Sequence, residues 1–363
     1  MRKNKIYVGI ITFICSILFS LSVCIADSVS DVVVCLQINN PIMKVNGIAT
    51  EIDVGRGTKP VIFNDRTLVP IRTIIETFGG TVEWENNEQA VLLSMDDTDI
   101  KLVINSYTAY LNGFACNIDI SPIILNERTM MPMRFVAESF NLGVAWDDKT
   151  QTVSIIRNSF DEQDYQYLQS VLSNYSGSPY TIINNNIPLF KDYEIISGTF
   201  EYYSKLDSFG RCDVAMASIA EELKPITERE NISSIIPTGW KNNKYDVIPG
   251  KYLYNRCHLI AYQLTGENAN KRNLITGTRY MNIEGMLPFE NMVNDYIEQT
   301  GKGVMYRVSP VFTANNLVAD GVLMEAYSIE DKGQGISFCV YCYNIQPNII
   351  IDYTAGDNKY FDY

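Results

Sequence analysis

Histidine is the scarcest residue of this sequence, with a single member, His258, among 363 residues. A zinc site with two or more histidine ligands is therefore excluded, and so is a pH switch built from a histidine cluster. Basic residues are also in short supply, since 29 Lys and Arg stand against 42 Asp and Glu and the net charge is −13. A nucleic-acid partner could then be bound only at a local basic site, because the chain as a whole repels a polyanion.

Cysteine is too thinly spread for a dense disulfide framework, with eight residues in the whole chain. Cys339 and Cys342 lie in the apolar run 336–345, where a spacing of three predicts small buried side chains on opposite faces of a β-strand. Hydrophobic residues make up 46% and charged residues 20%, which excludes a wholly disordered chain. The length predicts two or three domains.

The N-terminal segment, residues 1–26, indicates export. Residues 1–5 are cationic, and the chain is then almost uninterruptedly apolar up to Ala26. This pattern is typical of a signal peptide, and a run of this length could also span a bilayer as an uncleaved anchor. We therefore expect a secreted or cell-surface protein.

An internal repeat occupies the first half. The stretch NDRTLVPIR at 64–72 recurs as NERTMMPMR at 126–134, and Trp84 recurs as Trp146 at the same displacement along the chain. In each copy a proline opens a short helix with apolar residues at helical spacing, and the tryptophan, expected to be buried, lies in a following strand. Each copy therefore predicts a small strand-rich α+β unit.

The repeated pattern resembles the copper amine oxidase N-terminal-like domain over about residues 36–156. The resemblance implies a duplicated stalk domain that serves as a spacer or contacts a cell wall or surface. The region contains no histidine, so a copper site with the usual ligands is not expected there. Residues 157–180 are polar and predict a linker with one short helix between Asp161 and Leu172.

Residues 255–282 form a basic segment in an otherwise acidic protein, with Glu267 as their single acid. Such a segment suits the binding of phosphate groups, and its basic residues are the candidates for holding a substrate. These residues are Arg256, Lys271, Arg272 and Arg279. The region from Asn282 to Gln299 has helical character, and Asn282 and Glu290 would lie near one face of that helix.

This second half resembles the DNA/RNA non-specific endonucleases of the ββα-metal, or His-Me finger, class, particularly the bacterial DNA-entry and secreted nucleases. The likeness spans about residues 181–355. His258 matches the histidine of the Asp-Arg-Gly-His signature, whereas Asn255 replaces its Asp and Cys257 replaces its Gly. The resemblance implies an α+β fold with a central antiparallel sheet, preceded by the duplicated stalk.

The same resemblance implies a set of roles. His258 is the general base, Asn282 is the ligand of Mg²⁺ or alternatively Mn²⁺, and Glu290 anchors a water of the ion. Arg256 and Asn273 complete the catalytic group. These residue types suit the reaction, because a neutral imidazole accepts a water proton near neutral pH and Mg²⁺ prefers oxygen ligands. The expected substrates are DNA and, as a second polymer, RNA.

Two other interpretations stay open at this stage. The chain could be a surface-binding or adhesion protein with an inert nuclease domain, and Mg²⁺-dependent loss of plasmid DNA would discriminate between the two. It could also be a metal-free hydrolase centred on Cys257, which EDTA would not inhibit. The oligomeric state and any disulfide pairing are left open by the sequence.

Overall fold

The computed structural model describes residues 31–361, so the export segment predicted over residues 1–26 lies outside the described residues. No helix in the described part of the chain is long and apolar enough to cross a bilayer. The architecture is mixed α+β, with a strand-rich N-terminal half and a C-terminal half built on one large sheet. The predicted fold class is confirmed.

The N-terminal half consists of short strands and two short helices. Its strands are β1 (Val32–Gln37), β2 (Ile42–Val45), β3 (Ile48–Glu51), β4 (Val61–Phe63), β5 (Arg66–Pro70), β6 (Thr81–Glu85), β7 (Ala90–Met95), β8 (Thr98–Val103), β9 (Thr108–Leu111), β10 (Phe114–Asn117), β11 (Ile123–Leu125), β12 (Arg128–Pro132), β13 (Gly143–Asp147) and β14 (Thr152–Arg157). The helices are α1 (Ile71–Thr77) and α2 (Met133–Ser139).

Both helices begin directly after the repeated proline, as the sequence predicts. Pro70 and Pro132 are N-caps in extended conformation, where the missing N–H and the restricted φ cost nothing. The predicted tryptophan strands are present as β6 and β13. The expectation that both tryptophans are buried is wrong, because Trp84 is 37% exposed on the edge strand β6 and Trp146 is half-buried.

The two repeats are interlocked rather than arranged in series. β5 and β12 pair antiparallel and join the repeats in one sheet of order β11-β12-β5-β4. Strands β8–β10 extend the β6–β7 hairpin, and β1–β3 extend the β13–β14 hairpin in the equivalent way. The strand β1, which begins at Val32, is paired with β14, so the first and last strands of the N-terminal half are neighbours.

The C-terminal half carries the second set of elements. Its strands are β15 (Tyr180–Ile182), β16 (Phe200–Tyr203), β17 (Ala215–Ile219), β18 (Tyr254–His258), β19 (Leu274–Thr278), β20 (Val304–Val311), β21 (Gly321–Ser328), β22 (Ser337–Tyr343), β23 (Ile349–Ile351) and β24 (Asn358–Tyr360). The helices are α3 (Glu162–Val171), α4 (Tyr262–Thr265) and α5 (Leu287–Thr300), with a π-helical turn at Met281–Met286 and short 3-10 turns at Asn184–Asn186, Asp192–Glu194 and Glu221–Leu223.

A six-stranded antiparallel sheet of order β15-β22-β21-β20-β17-β16 is the centre of this half. One face packs against the β18–β19 hairpin and α5, and the other face packs in part against α3. Cys342 is buried on the first face and Cys339 on the second. The prediction that the two cysteines point to opposite faces of one strand is confirmed.

The two halves share a hydrophobic core cluster. Val33 and Ile156 of the N-terminal half pack with Phe200, Tyr202 and Met305 of the C-terminal half. Residues 157–180, predicted as a linker, contain α3, whose Leu168 is 1% exposed in the cluster on the sheet. Apolar contact therefore holds the two halves together, because large side chains of β16 pack against β13 instead of facing solvent.

Gly198 marks a close approach between the halves. A Cβ at this residue would lie 2.2 Å from the carbonyl oxygen of Trp146, and its φ is +88°. We expect Gly198→Ala to lower the unfolding free energy by clearly more than the about 1–2 kcal/mol that a left-handed alanine costs by itself. Gly79→Ala is the matched control, because Gly79 has a φ of +84° and no atom within 4 Å of the added Cβ. Equal thermal destabilisation of the two variants would show that the contact with Trp146 contributes nothing.

Candidate active site

The predicted site residues lie on a β-hairpin followed by a helix. His258 ends β18, which pairs antiparallel with β19, and the chain then enters the π-helical turn and α5. Asn344 fixes this motif on the central sheet. It is fully buried, accepts from the Thr278 N–H and donates to the carbonyls of Thr276 and Ala319 at 2.7 to 3.0 Å.

An open cavity of about 890 Å³ lies over this motif. His258, Asn282 and Glu290 all line it, although they come from a strand, a π-helical turn and a helix. The other lining residues that matter for its chemistry are Arg229, Trp240, Asn255 and Arg256. The predicted base, metal ligand and carboxylate are thus brought together by the fold.

His258 is held in one orientation by two hydrogen bonds. Its Nε2 lies 2.8 Å from the carbonyl oxygen of Asn268, and its Nδ1 lies 3.1 Å from a guanidinium nitrogen of Arg229. The carbonyl can only accept and the guanidinium can only donate, so the proton is on Nε2 and the lone pair is on Nδ1. Burial lowers the pKa of His258 to about 4, and the neighbouring Arg229 adds to this effect, so the ring is neutral at pH 7.

Arg229 is a site residue that the sequence analysis missed. It lies in the long loop between the turn Glu221–Leu223 and β18, outside the basic segment 255–282. Glu228 and Glu230 flank it, so no local excess of positive charge marks it in the sequence. Only the fold carries this arginine to the imidazole, 29 positions further along the chain.

Cys257 lies beneath the candidate metal ligand. It is fully buried, and its Sγ is 2.9 Å from Oδ1 of Asn282 and 3.4 Å from Sδ of Met286. A Cβ at Gly277 would lie 2.7 Å from the Cβ of Cys257, so a glycine on β19 makes the room that the signature glycine would otherwise provide. The thiol hydrogen bond leaves the second lone pair of the Asn282 amide oxygen available.

Glu290 presents a buried carboxylate to the same cavity. It is 8% exposed, and burial raises the pKa of its carboxyl group to about 8, an effect that Arg229 partly offsets. Within residues 31–361 no ion pair joins it to a basic side chain. A buried carboxylate and an amide oxygen that line one cavity are donors suited to a hard cation such as Mg²⁺, which binds few protein oxygens and keeps much of its water. The residues present therefore fit the implied ion.

The two remaining signature positions form the wall of the cavity. The guanidinium of Arg256 lies 4.4 Å from the ring centre of Trp240 and donates to the carbonyls of Ser233 and Ile235. Asn255, which replaces the signature Asp, has a buried Nδ2 without a hydrogen-bond partner in the described structure. Arg256 therefore organises the loop at 233–235 in addition to facing the cavity.

The structure does not bring the other four predicted residues to this cavity. Asn273 is fully buried, and its side chain bonds both the N–H and the carbonyl of Ile260, so it positions the chain after His258 and cannot touch a substrate. Arg272 donates to Asn141 of the N-terminal domain, and the Arg279 guanidinium lies against Gly250. Lys271 is exposed elsewhere. These four residues are close in sequence, but their side chains do not point to a common surface. The strand β19 and the turn before it direct them to different parts of the protein.

Two family models match the chain. Residues 191–330 match the DNA/RNA non-specific endonuclease, and residues 44–155 match the copper amine oxidase N-terminal domain. The C-terminal half is therefore similar to this endonuclease family over residues 191–330, and the activity that this likeness indicates is hydrolysis of nucleic acid. Among curated proteins none matches the chain.

The chain is also similar to solved structures of nucleases. NucA from Streptococcus agalactiae, solved with no metal bound and with a magnesium ion bound, is 22% and 23% identical, and each match covers 55% of this chain and 98% or 97% of that chain with a TM-score of 0.47. Sda1 nuclease with a bound zinc ion is 22% identical, covering 50% of this chain and 98% of its own, with a TM-score of 0.42.

The ionisation of His258 can be measured directly. Because the chain has one histidine, its ring signals in a proton NMR titration need no assignment. We expect titration at about pH 4 in the native protein, so that the ring is neutral above this pH and charged only below it. Arg229→Ala should raise the pKa towards the ordinary 6.5, since it removes an adjacent positive charge and opens the ring to water.

Arg279→Ala is the control for this titration, because Arg279 lies outside the cavity lining. It should leave the titration midpoint of His258 where it is. A midpoint near 6.5 in the native protein would contradict the buried, arginine-contacted geometry of the ring.

Proposed function

We propose that the chain is an exported, Mg²⁺-dependent, sugar-non-specific endonuclease that hydrolyses DNA and RNA, with Mn²⁺ as the alternative ion. The observation that carries the proposal is the convergence of His258, Asn282 and Glu290 on one open cavity that also contains two arginines. The nuclease family match supports the same reaction. Export rests on the sequence of the N-terminal segment 1–26.

His258 acts as the general base. The carbonyl of Asn268 retains the Nε2 proton, so the Nδ1 lone pair is the group that takes a proton from the attacking water. In the absence of substrate this lone pair accepts a hydrogen bond from Arg229. A phosphodiester offers the guanidinium a charged partner, so substrate binding would draw Arg229 to phosphate and free Nδ1 for the water.

Asn282 and Glu290 would hold the cation, Asn282 as the direct ligand and Glu290 by anchoring one of its waters. When bound, Mg²⁺ supplies positive charge that stabilises the developing charge on the phosphate. Cys257 orients the Asn282 amide by its hydrogen bond at 2.9 Å. Glu290 would be ionised by a nearby cation, because opposite charge favours the carboxylate over the neutral acid.

The hydrolase centred on Cys257 receives no support from the structure. Burial raises the pKa of the Cys257 thiol well above its usual value, and its side chain is 0% exposed. A thiolate is the nucleophilic form, and a fully buried thiol can neither ionise near pH 7 nor reach a phosphate. The activity assay described next distinguishes the nuclease from an adhesion protein with an inert nuclease domain.

The proposal is tested by cleavage of plasmid DNA and of RNA with Mg²⁺ and with EDTA. His258→Ala should lower the rate by about 10²–10⁴, because no second histidine can replace the base. Asp295→Asn, which changes an exposed carboxylate of α5, should cleave like the native enzyme. Unchanged cleavage by a folded His258→Ala protein would remove His258 as the base, and absence of Mg²⁺-dependent cleavage in the native protein would favour the adhesion protein.

The metal roles predict a difference between two variants. Asn282→Ala should raise the Mg²⁺ concentration for half-maximal activity more than Glu290→Gln does, because a direct ligand contributes more to affinity than a water-mediated one. Metal titrations of the cleavage rate provide the measurement, with Asp295→Asn again as the control. If Asn282→Ala needs no more Mg²⁺ than the native enzyme, Asn282 is not a ligand.

A further inference from the structure

The N-terminal domain carries two grooves with equivalent linings. The smaller one, of about 480 Å³, contains Arg72, Trp84 and Arg128. The larger one, of about 680 Å³, contains their counterparts Arg134, Trp146 and Arg66. Each groove combines the helix and tryptophan strand of one repeat with the hairpin of the other, so the interlocked duplication generates both.

An arginine–aspartate pair closes each groove in the same way. Arg128 Nε lies 2.6 Å from Oδ2 of Asp53 in the smaller groove, and Arg66 Nε pairs with Oδ2 of Asp119 in the larger. The aspartates come from the segments that precede β4 and β11. Each groove therefore presents a fixed donor and a fixed acceptor side by side.

Positions that are identical in the two repeats are concentrated at these grooves. Arg66, Thr67, Arg72 and Trp84 recur unchanged in the second copy, and all these side chains line a groove. Most buried positions have diverged instead, as Ile75 has become Ala137 and Leu68 has become Met130. If packing alone kept the repeats alike, the buried positions would be the identical ones, because shape constrains core positions more than surface positions. The grooves are thus the shared feature of the repeats.

The tryptophan of each groove is available to stack on a ligand. Trp84 is 37% exposed, and its indole N–H is already bonded to Oδ1 of Asn86 at 2.8 Å. The ring is therefore fixed in orientation and its remaining interaction is through the π surface. Trp146 is the equivalent, half-buried ring of the larger groove.

The charges of the grooves restrict the ligand. Acidic residues outnumber the two arginines in each: Asp53, Glu83 and Glu127 in one, Asp65, Asp119, Glu138 and Asp148 in the other. A nucleic-acid strand or another polyanion would be repelled. A sugar ring has the complementary chemistry, because its C–H face stacks on an indole and each hydroxyl both donates and accepts, which matches an adjacent Arg and Asp.

We propose that these two grooves bind a neutral polysaccharide chain, and that the N-terminal domain attaches the nuclease to a glycan surface. Two equivalent sites in one domain suit a polymer with a repeating unit. A glycan surface presents many chains, and where both grooves are occupied the second contact is intramolecular. The glycan site is separate from the nuclease cavity and independent of its activity.

The test is co-sedimentation of the full chain with three insoluble neutral glycans, namely chitin, cellulose and a linear β-1,3-glucan, with intact peptidoglycan as the peptide-bearing comparison. We expect binding to at least one of the three neutral glycans. Trp84→Ala and Trp146→Ala should each weaken it about tenfold, the usual effect of a stacked tryptophan at a binding site, and the double variant should abolish it. Arg72→Gln provides a second, less disruptive change in the smaller groove.

Phe114→Ala is the matched control, because Phe114 is 79% exposed in the same domain but outside both grooves. It should bind like the native protein, and all variants should keep the native DNA cleavage rate and thermal unfolding curve. Failure to bind any of the three glycans would overturn the proposal. So would unchanged binding by a folded double variant, or binding only to peptidoglycan that retains its peptides.

Discussion

The candidate active site depends on the attachment of the β18–β19 hairpin to the central sheet. Asn344 provides it by bonding three backbone groups while wholly buried. Losing this amide would leave buried backbone groups unsatisfied, which costs about 1–3 kcal/mol each. Asn273 performs the corresponding task at the other end of the hairpin, where it bonds both polar groups of Ile260. Two buried amides outside the cavity lining thus hold the hairpin that carries His258, whereas Arg229 and the Asn268 carbonyl orient its ring.

Two departures from the endonuclease signature are accommodated by the residues around them. A side chain at position 257 is possible because Gly277 leaves space opposite it. The thiol then bonds Asn282 and so acts on the proposed ligand rather than on the substrate. Asn255 keeps the shape of an aspartate without its charge, and the cavity consequently has one carboxylate fewer to neutralise the two arginines beside it.

The N-terminal domain is joined to the C-terminal half by packing as well as by the chain. The side chains of Phe200 and Tyr202 lie in one cluster with Val33 and Ile156, so separating the halves would expose apolar surface at about 25 cal/mol per Å². Arg272, expected at the substrate, instead bonds Asn141 across this interface. The sequence of residues 157–180 did not predict this packing. Its composition is polar because only one face of α3 is apolar.

Local signals were enough to predict much of the fold. The prolines at 70 and 132 marked the helix starts, the spacing of Cys339 and Cys342 marked a strand buried on both faces, and His258, Asn282 and Glu290 stood at the spacing of a known motif. These features depend on residues near each other in the chain. Arg229, the inward-facing Asn273 and the paired grooves were not predictable, because each depends on which distant segments meet and on the direction in which a side chain leaves its strand. The sequence by itself determined the elements and the chemical groups, and only the tertiary structure decided which of those groups share a cavity, because burial and side-chain direction are properties of packing between elements.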